Sequence, residues 1–367
     1  MRVKSFLLKT LIPALAMSAA VLAAVSHVSC KSSIEGVQML EGDYTVPKAT
    51  QFCVSSKDLI VLGFNKEVFS KSACYYKKDG GQSIPLESSG SGGGKTLEFK
   101  SASPMQTGEE YIFSGTIQDK NGNTLTLSVP FTGFNDRVPL MAITEVHNAY
   151  SSTAKEHHAE YVEFVALQDG NLSGLEFIIT GDLSSKDSSK GVYRFPPLEV
   201  SGGEYITLHL RKPSFYTGMT DDTGENLSLS SAPDSNPKAL DLWAENTSAA
   251  IKDSDVLFIR NTSSSKILDS VLFVNTAKSA WNDSTQKWIF EVFSSGTWQK
   301  AENASLQEIQ DSAFTFEQKS PSVKKSLCRT NIDYLLKEAK SSGEPVLKNG
   351  ADCWKIAEPS PGYQGNL

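Results

Sequence analysis

Tyr111-Ile112-Phe113-Ser114-Gly115-Thr116-Ile117, the turn Asp119-Lys120-Asn121-Gly122-Asn123 and the run Thr124-Leu125-Thr126-Leu127-Ser128-Val129 decide the fold class. Both flanking runs are rich in β-branched and aromatic residues, which suit a half-buried pleated surface. Asn-Gly between two such runs is a strong hairpin signal, because both central residues tolerate positive φ. Asp119, Asn121 and Asn123 also alternate as oxygen ligands do in calcium loops. The following Gly and the distal bidentate Glu of an EF-hand loop are missing, so the segment reads as a hairpin turn. Working outward, Leu59-Ile60-Val61-Leu62-Gly63-Phe64 and Thr96-Leu97-Glu98-Phe99 are further strands. The Ser88–Gly94 stretch between them lacks the following helix a phosphate cradle needs, and reads as a loop. Short strands separated by Gly and Asn turns predict an antiparallel sandwich.

The Tyr-x-Phe-x-Gly-x-Ile strand, the Asp-x-Asn-Gly-Asn turn and the exit Val129-Pro130-Phe131 make residues 51–137 resemble the bacterial immunoglobulin-like modules of surface proteins. A second pattern starts at Ile143-Thr144-Glu145-Val146. It continues through Glu160-Tyr161-Val162-Glu163-Phe164, Leu172-Ser173-Gly174-Leu175, Tyr193-Arg194-Phe195-Pro196 and Ser201-Gly202-Gly203-Glu204-Tyr205-Ile206. Val256–Ile259, Ile267–Val271, Ser326-Leu327-Cys328-Arg329, Asp352-Cys353-Trp354 and Ser360-Pro361-Gly362 with Asn366 complete it. In this order the segments resemble the lamin-tail domain of bacterial proteins. Thr144 stands where that family has Asn, and Leu175 where it has Trp. The resemblance covers most of residues 138–367. Two insertions interrupt it: residues 214–250, polar and read as a long exposed loop, and residues 276–326, with a helix-like Ser305–Phe314. The expected fold is all-β: two antiparallel, immunoglobulin-like β-sandwich domains, the second with a partly helical insertion.

The first 29 residues have the parts of an export signal: Arg2, Lys4 and Lys9, then an apolar stretch from Leu11 to Val25. Val28-Ser29-Cys30 resembles the lipobox of bacterial lipoproteins, in the relaxed form of spirochaete envelope lipoproteins, since His27 replaces the usual aliphatic residue. That resemblance implies lipidation of Cys30, a tether over residues 30–50, and residence in the bacterial cell envelope with the membrane as a partner. Two or three acyl chains anchor a protein where one does not. Cleavage would remove three basic residues and no acidic one, taking the net charge from −7 to −10. Such a surface repels nucleic-acid phosphates, so a nucleic-acid partner is not expected. Four cysteines then remain, an even number in an exported chain. Proximity and the domain division favour the pairs Cys53–Cys74 and Cys328–Cys353, with buried thiols as the alternative.

No His-Glu-x-x-His, Gly-x-Ser-x-Gly or Cys-x-x-Cys motif occurs, so no enzyme, cofactor or metal is expected. His147, His157 and His158 with Glu160 could be offered as transition-metal ligands. Neighbouring strand residues point to opposite faces, which favours loop histidines instead. Glu145, Glu160 and Glu163 could be a carboxylate cluster. The lamin-tail resemblance gives acidic residues at these positions no catalytic role, and Arg329 is an expected structural ion-pair partner for Glu163. Trp281, Trp288 and Trp298, with Phe290 and Phe293, form either an interaction surface or a satellite core. The functional expectation is a non-enzymatic, lipid-anchored envelope protein acting in adhesion, scaffolding or contact with a protein partner. A carbohydrate- or small-ligand-binding lipoprotein comes next, and an envelope hydrolase or nuclease accessory protein third.

Overall fold

The hairpin at residues 110–132 forms as its turn chemistry dictates. In the computed structural model, Asp119 N donates to Asn123 O at 3.0 Å, and Gly122, at φ +87°, takes the left-handed position of the turn. The structure describes residues 43–89, 93–153, 156–158, 160–183, 191–212, 234–246, 248, 251–278, 281, 283–299, 312–320, 322–342 and 347–362. Cys30, the signal segment 1–29, most of the tether and residues 305–311 lie outside them. Val46–Leu367 form one compact unit.

Its first six strands are β1 (Ala49–Ser56), β2 (Leu59–Lys77), β3 (Ile84–Ser89), β4 (Gly94–Ser101), β5 (Glu110–Asp119) and β6 (Thr124–Thr132). They make one six-stranded sheet in the order β3-β4-β2-β5-β6, with β1 also on β2. The 19-residue β2 folds this sheet over. Its first half pairs with β1 and β4, and its second half with β5 and, at Cys74 and Tyr75, with β3. Between the layers lie Ile60, Leu62, Tyr75, Phe99, Phe113 and Ile117. Their period-2 spacing is the one that the sequence shows.

The second sandwich is built from fifteen further strands. They are β7 (Met141–His147), β8 (Ser151–Thr153), β9 (Glu156–His158), β10 (Tyr161–Ala166), β11 (Gly170–Asn171), β12 (Leu175–Ile179), β13 (Val192–Arg194), β14 (Glu199–Val200) and β15 (Tyr205–His209). Then follow β16 (Ala239–Trp243), β17 (Asp255–Asn261), β18 (Ile267–Asn275), β19 (Phe314–Phe316), β20 (Ser326–Arg329) and β21 (Trp354–Ala357). A six-stranded sheet, β16-β15-β10-β7-β20-β21, faces a five-stranded sheet, β13-β12-β17-β18-β19. Val162, Phe164, Phe177, Phe258, Val271 and Trp298 are among the side chains packed between them. Two edge pairings, β15–β16 and β18–β19, are parallel; the others are antiparallel.

Two expectations need correction here. The segment 214–250 is not all exposed loop, since β16 lies within it and pairs with β15 through Trp243 opposite His209. Within the 276–326 insertion α1 spans Asp283–Ser295, and Phe314, expected to close a helix begun at Ser305, belongs to a strand, while residues 305–311 lie outside the described residues. A second helix, α2 (Ile332–Ser342), lies beyond the insertion and buries Leu335, Leu336 and Ala339 against Ala142, Val165, Tyr205 and Ala239. The six-stranded sheet is thereby covered on its outer face too, and β7, β10 and β15 are buried at every position. No described helix is long and apolar enough to cross a membrane.

Candidate functional site

A strand buried on both faces usually reads as a continuous apolar run. Here most alternate residues of the central strands are polar or aromatic, and register gathers these on the outer face of the six-stranded sheet. One row runs Trp243, His209, Tyr161, His147 across β16, β15, β10 and β7. The next runs Asp241, Thr207, Glu163, Glu145, Cys328, Lys355 and ends on β21. From Asp241 to Cys328 none of the second row exceeds 9% exposure.

The aromatic row is stacked. His209 lies 4.0 Å from Trp243 and His147 lies 5.0 Å from Tyr161, centroid to centroid, with the rings of each pair nearly parallel. His209 Nε2 meets Asp241 Oδ1 at 2.6 Å, and His147 Nδ1 lies 2.8 Å from Ser326 Oγ. Arg211 forks onto Glu160 at 2.5 and 2.7 Å. The Tyr161 hydroxyl donates to Glu145. Over the two glutamates crosses residues 358–362. Ser360 N and Oγ donate to Glu145 Oε2 at 3.1 and 3.0 Å, and Gly362 N donates to Glu163. Thr144 Oγ1 donates to Glu163 Oε1 at 2.6 Å. Burial, reinforced by the neighbouring Glu145 charge, pushes the Glu163 carboxyl up to about 8. Burial pushes His147 down to about 4, and pushes the Cys328 thiol up to about 12 with the two glutamates adding to it. His147 Nε2, Thr207 Oγ1, His209 Nδ1 and Asp241 Oδ2 are buried here without a hydrogen-bond partner.

The expected Glu163–Arg329 pair does not form. Side chains alternate along β20, so Cys328 faces Glu145 on the outer face while Leu327 and Arg329 face inward. Arg329 Nη1 instead reaches Asp269 Oδ2 on the opposing sheet at 2.6 Å, with both side chains fully buried. Its remaining donors serve Asn331 Oδ1, Ile143 O and Lys348 O at 3.0 to 3.3 Å. Asp269 Oδ2 also accepts from Ile143 N at 2.7 Å, beside the bulge where β7 carries one residue more than β10. Asn349, fully buried, completes the network by donating to Asp269 Oδ1 and Ser270 O and accepting from Trp354 Nε1. Arg329 thus ties the two sheets through Asp269 rather than pairing with Glu163. Asp269, the charged residue within the buried strand Ile-Leu-Asp-Ser-Val, was the available signal.

The four described cysteines are free thiols, so neither expected disulfide is present. Phe52, Val54, Ala73 and Tyr75 point into the first core, which turns Cys53 and Cys74 outward. Cys328 stands opposite Lys355, and Thr330 bonds the backbone of Cys353, so the two thiols are out of register. Trp281 and Trp298 are 5% and 2% exposed and belong to the core, while Trp288 packs against it. They form no surface, because the insertion folds inward and Trp298 Nε1 finds Ser312 O at 2.8 Å. Asp119 accepts from Asn121 N, Asn123 N, Asn123 Nδ2 and Lys66, which occupies the oxygens a calcium reading needs. His158 Nδ1 lies 2.8 Å from Asp234 Oδ1, and the His157 side chain lies outside what is described. Among the described residues no cluster of three or more His, Cys, Asp or Glu could hold a metal ion.

The fold and this face define a double β-sandwich protein with a polar seam closed by its own C-terminal segment. The chain belongs to the family TP_1001_2nd, described as a protein second domain, whose model matches residues 139–356. A protein of Treponema pallidum (strain Nichols) named "Uncharacterized protein" is 25% identical over 185 residues. That match covers 50% of this chain and 44% of the relative, so the chain spans under half of the relative's length. Among solved structures, the N-terminal part of the bacterial S-layer protein SbsC is 12% identical with a TM-score of 0.24, over 65% of this chain and 45% of that one. A DUF4876 family protein from Bacteroides thetaiotaomicron is 12% identical with a TM-score of 0.25, over 72% of this chain and 83% of its own.

Proposed function

We propose that this is a non-enzymatic contact or scaffolding protein of the bacterial cell envelope, held to a membrane by lipid on Cys30. In this reading a tether over residues 30–50 carries an immunoglobulin-like domain (51–137) and a lamin-tail-like domain (138–367). The observation that carries it is the closure of the polar face. Glu145, Tyr161, Glu163, His147 and His209, which a catalytic reading would recruit, are buried beneath the chain's own segments. Strand edges and turns are left to meet a partner. The edge strand β6 exposes Thr124, Thr126, Ser128, Pro130 and Thr132 without a single charge. Its proline blunts pairing with a foreign strand, and the uncharged row stays open to side-chain contact. The export signal and the Val28-Ser29-Cys30 junction support the anchor.

Labelling intact cells with a clickable palmitate, for the native chain and Cys30→Ala, tests the anchor. Signal is expected only in the native chain; equal signal, or a mature N-terminus upstream of Cys30, overturns it. Proximity labelling from the native chain should return a reproducible set of envelope proteins. A set indistinguishable from that of an unrelated lipoprotein overturns the contact role.

A further inference from the structure

Glu145 and Glu163 stand directly opposite each other on β7 and β10, 2% and 3% exposed. Side chains so paired have Cβ atoms about 4.5–5.5 Å apart. Two carboxylates at that separation, out of water and without a cation, resist ionising together. Among the described residues no lysine, arginine or histidine pairs with either. The groups that face them are Tyr161 beside them on β10, Tyr205 and Thr207 on β15, Asp241 one strand further, Cys328 on β20, Asp333 of α2 beside Tyr205, and His147 two residues along β7, which burial keeps neutral. None of these brings a positive charge; Lys355 lies beyond Cys328 on the edge strand. The hydrogen bonds are divided unequally. Glu145 accepts from the Tyr161 hydroxyl, Ser360 N and Ser360 Oγ, and Glu163 from Thr144 Oγ1 and Gly362 N. Glu163, which accepts fewer of these bonds and whose carboxyl burial pushes up, is the member that keeps a proton.

The segment that closes over the pair is fastened chiefly to it. Ser360 and Gly362 spend their donors on the two carboxylates, and two further fixings are Asn236 Nδ2 to Pro361 O at 3.0 Å and the Cys328 thiol to Glu358 O at 4.0 Å. Gly362 is at φ +67°, where a Cβ would meet Asn236 Cβ at 2.5 Å and Ala239 Cβ at 2.9 Å, so the chain can lie this close only as glycine.

We propose that Glu145 and Glu163 hold one proton between them and make residues 358–362 a proton-dependent latch over the outer face of the sheet. The latch is closed while the proton is shared. Losing it places a second buried charge under the segment with no counter-ion, and the segment lifts to admit water to the pair. Since burial and the Glu145 charge hold Glu163 up to about 8, opening falls on the alkaline side of neutrality.

The test is amide hydrogen exchange on the full chain at about pH 6.5 and about pH 9, each rate divided by the intrinsic rate at that pH. Protection at Ser360 and Gly362 should fall by about tenfold or more between the two, while amides of β17 keep theirs. In Glu163→Gln, which cannot ionise, the fall should vanish. Unchanged protection in the native chain overturns the proposal whether or not the variant folds. So does a folded Glu163→Gln that loses protection in parallel with the native chain.

Discussion

Arg329 and Asp269 tie the two sheets of the second sandwich together, and breaking that tie should be among the costliest single changes in the chain. Both side chains are fully buried and meet at 2.6 Å. Asp269→Asn leaves the guanidinium buried without its counter-charge, which costs on the order of 3–5 kcal/mol. Arg329→Lys keeps a charge near Asp269 but cannot also serve Asn331, Ile143 O and Lys348 O, since an ammonium lacks the planar fork. Leaving two such acceptors unmatched costs about 2–4 kcal/mol. At roughly 2–4 °C per kcal/mol for a chain of this size, the Asp269→Asn melting temperature should fall by about 6–20 °C. Thermal and urea unfolding followed by tryptophan fluorescence suits the measurement, because the Trp354 ring lies 5.8 Å from the Arg329 guanidinium. A double-mutant cycle of Arg329→Lys with Asp269→Asn should show a coupling of about 1 kcal/mol or more, whereas Arg329→Lys with Glu163→Gln should add. A coupling near zero in the first cycle, or an equal one in the second, would refute the placement of Arg329 on the inner face.

Three further outcomes are expected. Glu163 keeps its proton in the folded state up to about 8 but only to about 4.5 when unfolded. The folded state therefore binds the extra proton between these values, and stability falls as pH rises through that window, by at most roughly 4–5 kcal/mol. Glu163→Gln should flatten this fall in a series of melts from pH 5 to pH 9; an unchanged slope counts against it. In alkylation mapping without reductant, Cys53 and Cys74 should react in the folded protein and Cys328 and Cys353 only after unfolding; a disulfide-linked peptide among these four would contradict their placement. Thr207→Val removes a buried hydroxyl that has no partner, so it should be neutral or stabilising by up to about 1 kcal/mol, whereas Thr144→Val strips a donor from Glu163 and should cost about 1–2 kcal/mol. Urea midpoints that move in the same direction for the two valines would count against this contrast.

The strands of the first sandwich were legible because each carries its own pattern: period 2 along 111–117 and 124–129, and Asn-Gly between them. What stayed hidden depended on partners distant in sequence. Nothing in Leu59–Phe64 says that the strand continues to Lys77 and folds the sheet over, since that follows from pairing with β5. The strand at Ala239–Trp243 hides in polar surroundings because its register is set by β15. The inward turn of the tryptophans was equally invisible: one aromatic cluster suits a surface or a core, and only the helix Asp283–Ser295 docking on β17 and β18 decides it.

The ion pair shows the same limit more sharply. Arg329 and Glu163 both belong to the six-stranded sheet, and alternation sends them to opposite faces. Predicting the face of Arg329 required knowing that Cys328 stands opposite Glu145, a register fixed 183 residues apart. Polar residues at alternate positions normally mark a solvated face. On β7, β10 and β15 that rule fails, because α2 and residues 358–362 cover what would have been the wet side. Covering is tolerable only where donors match acceptors. The match is complete at Glu145 and Glu163, where the C-terminal segment crosses, and fails at Thr207, Asp241 and His209, toward β16, and at His147 Nε2 on β7. The pattern in the sequence therefore reports the chemistry of the face faithfully and its solvation wrongly, and the difference is made by a few residues at the chain's far end.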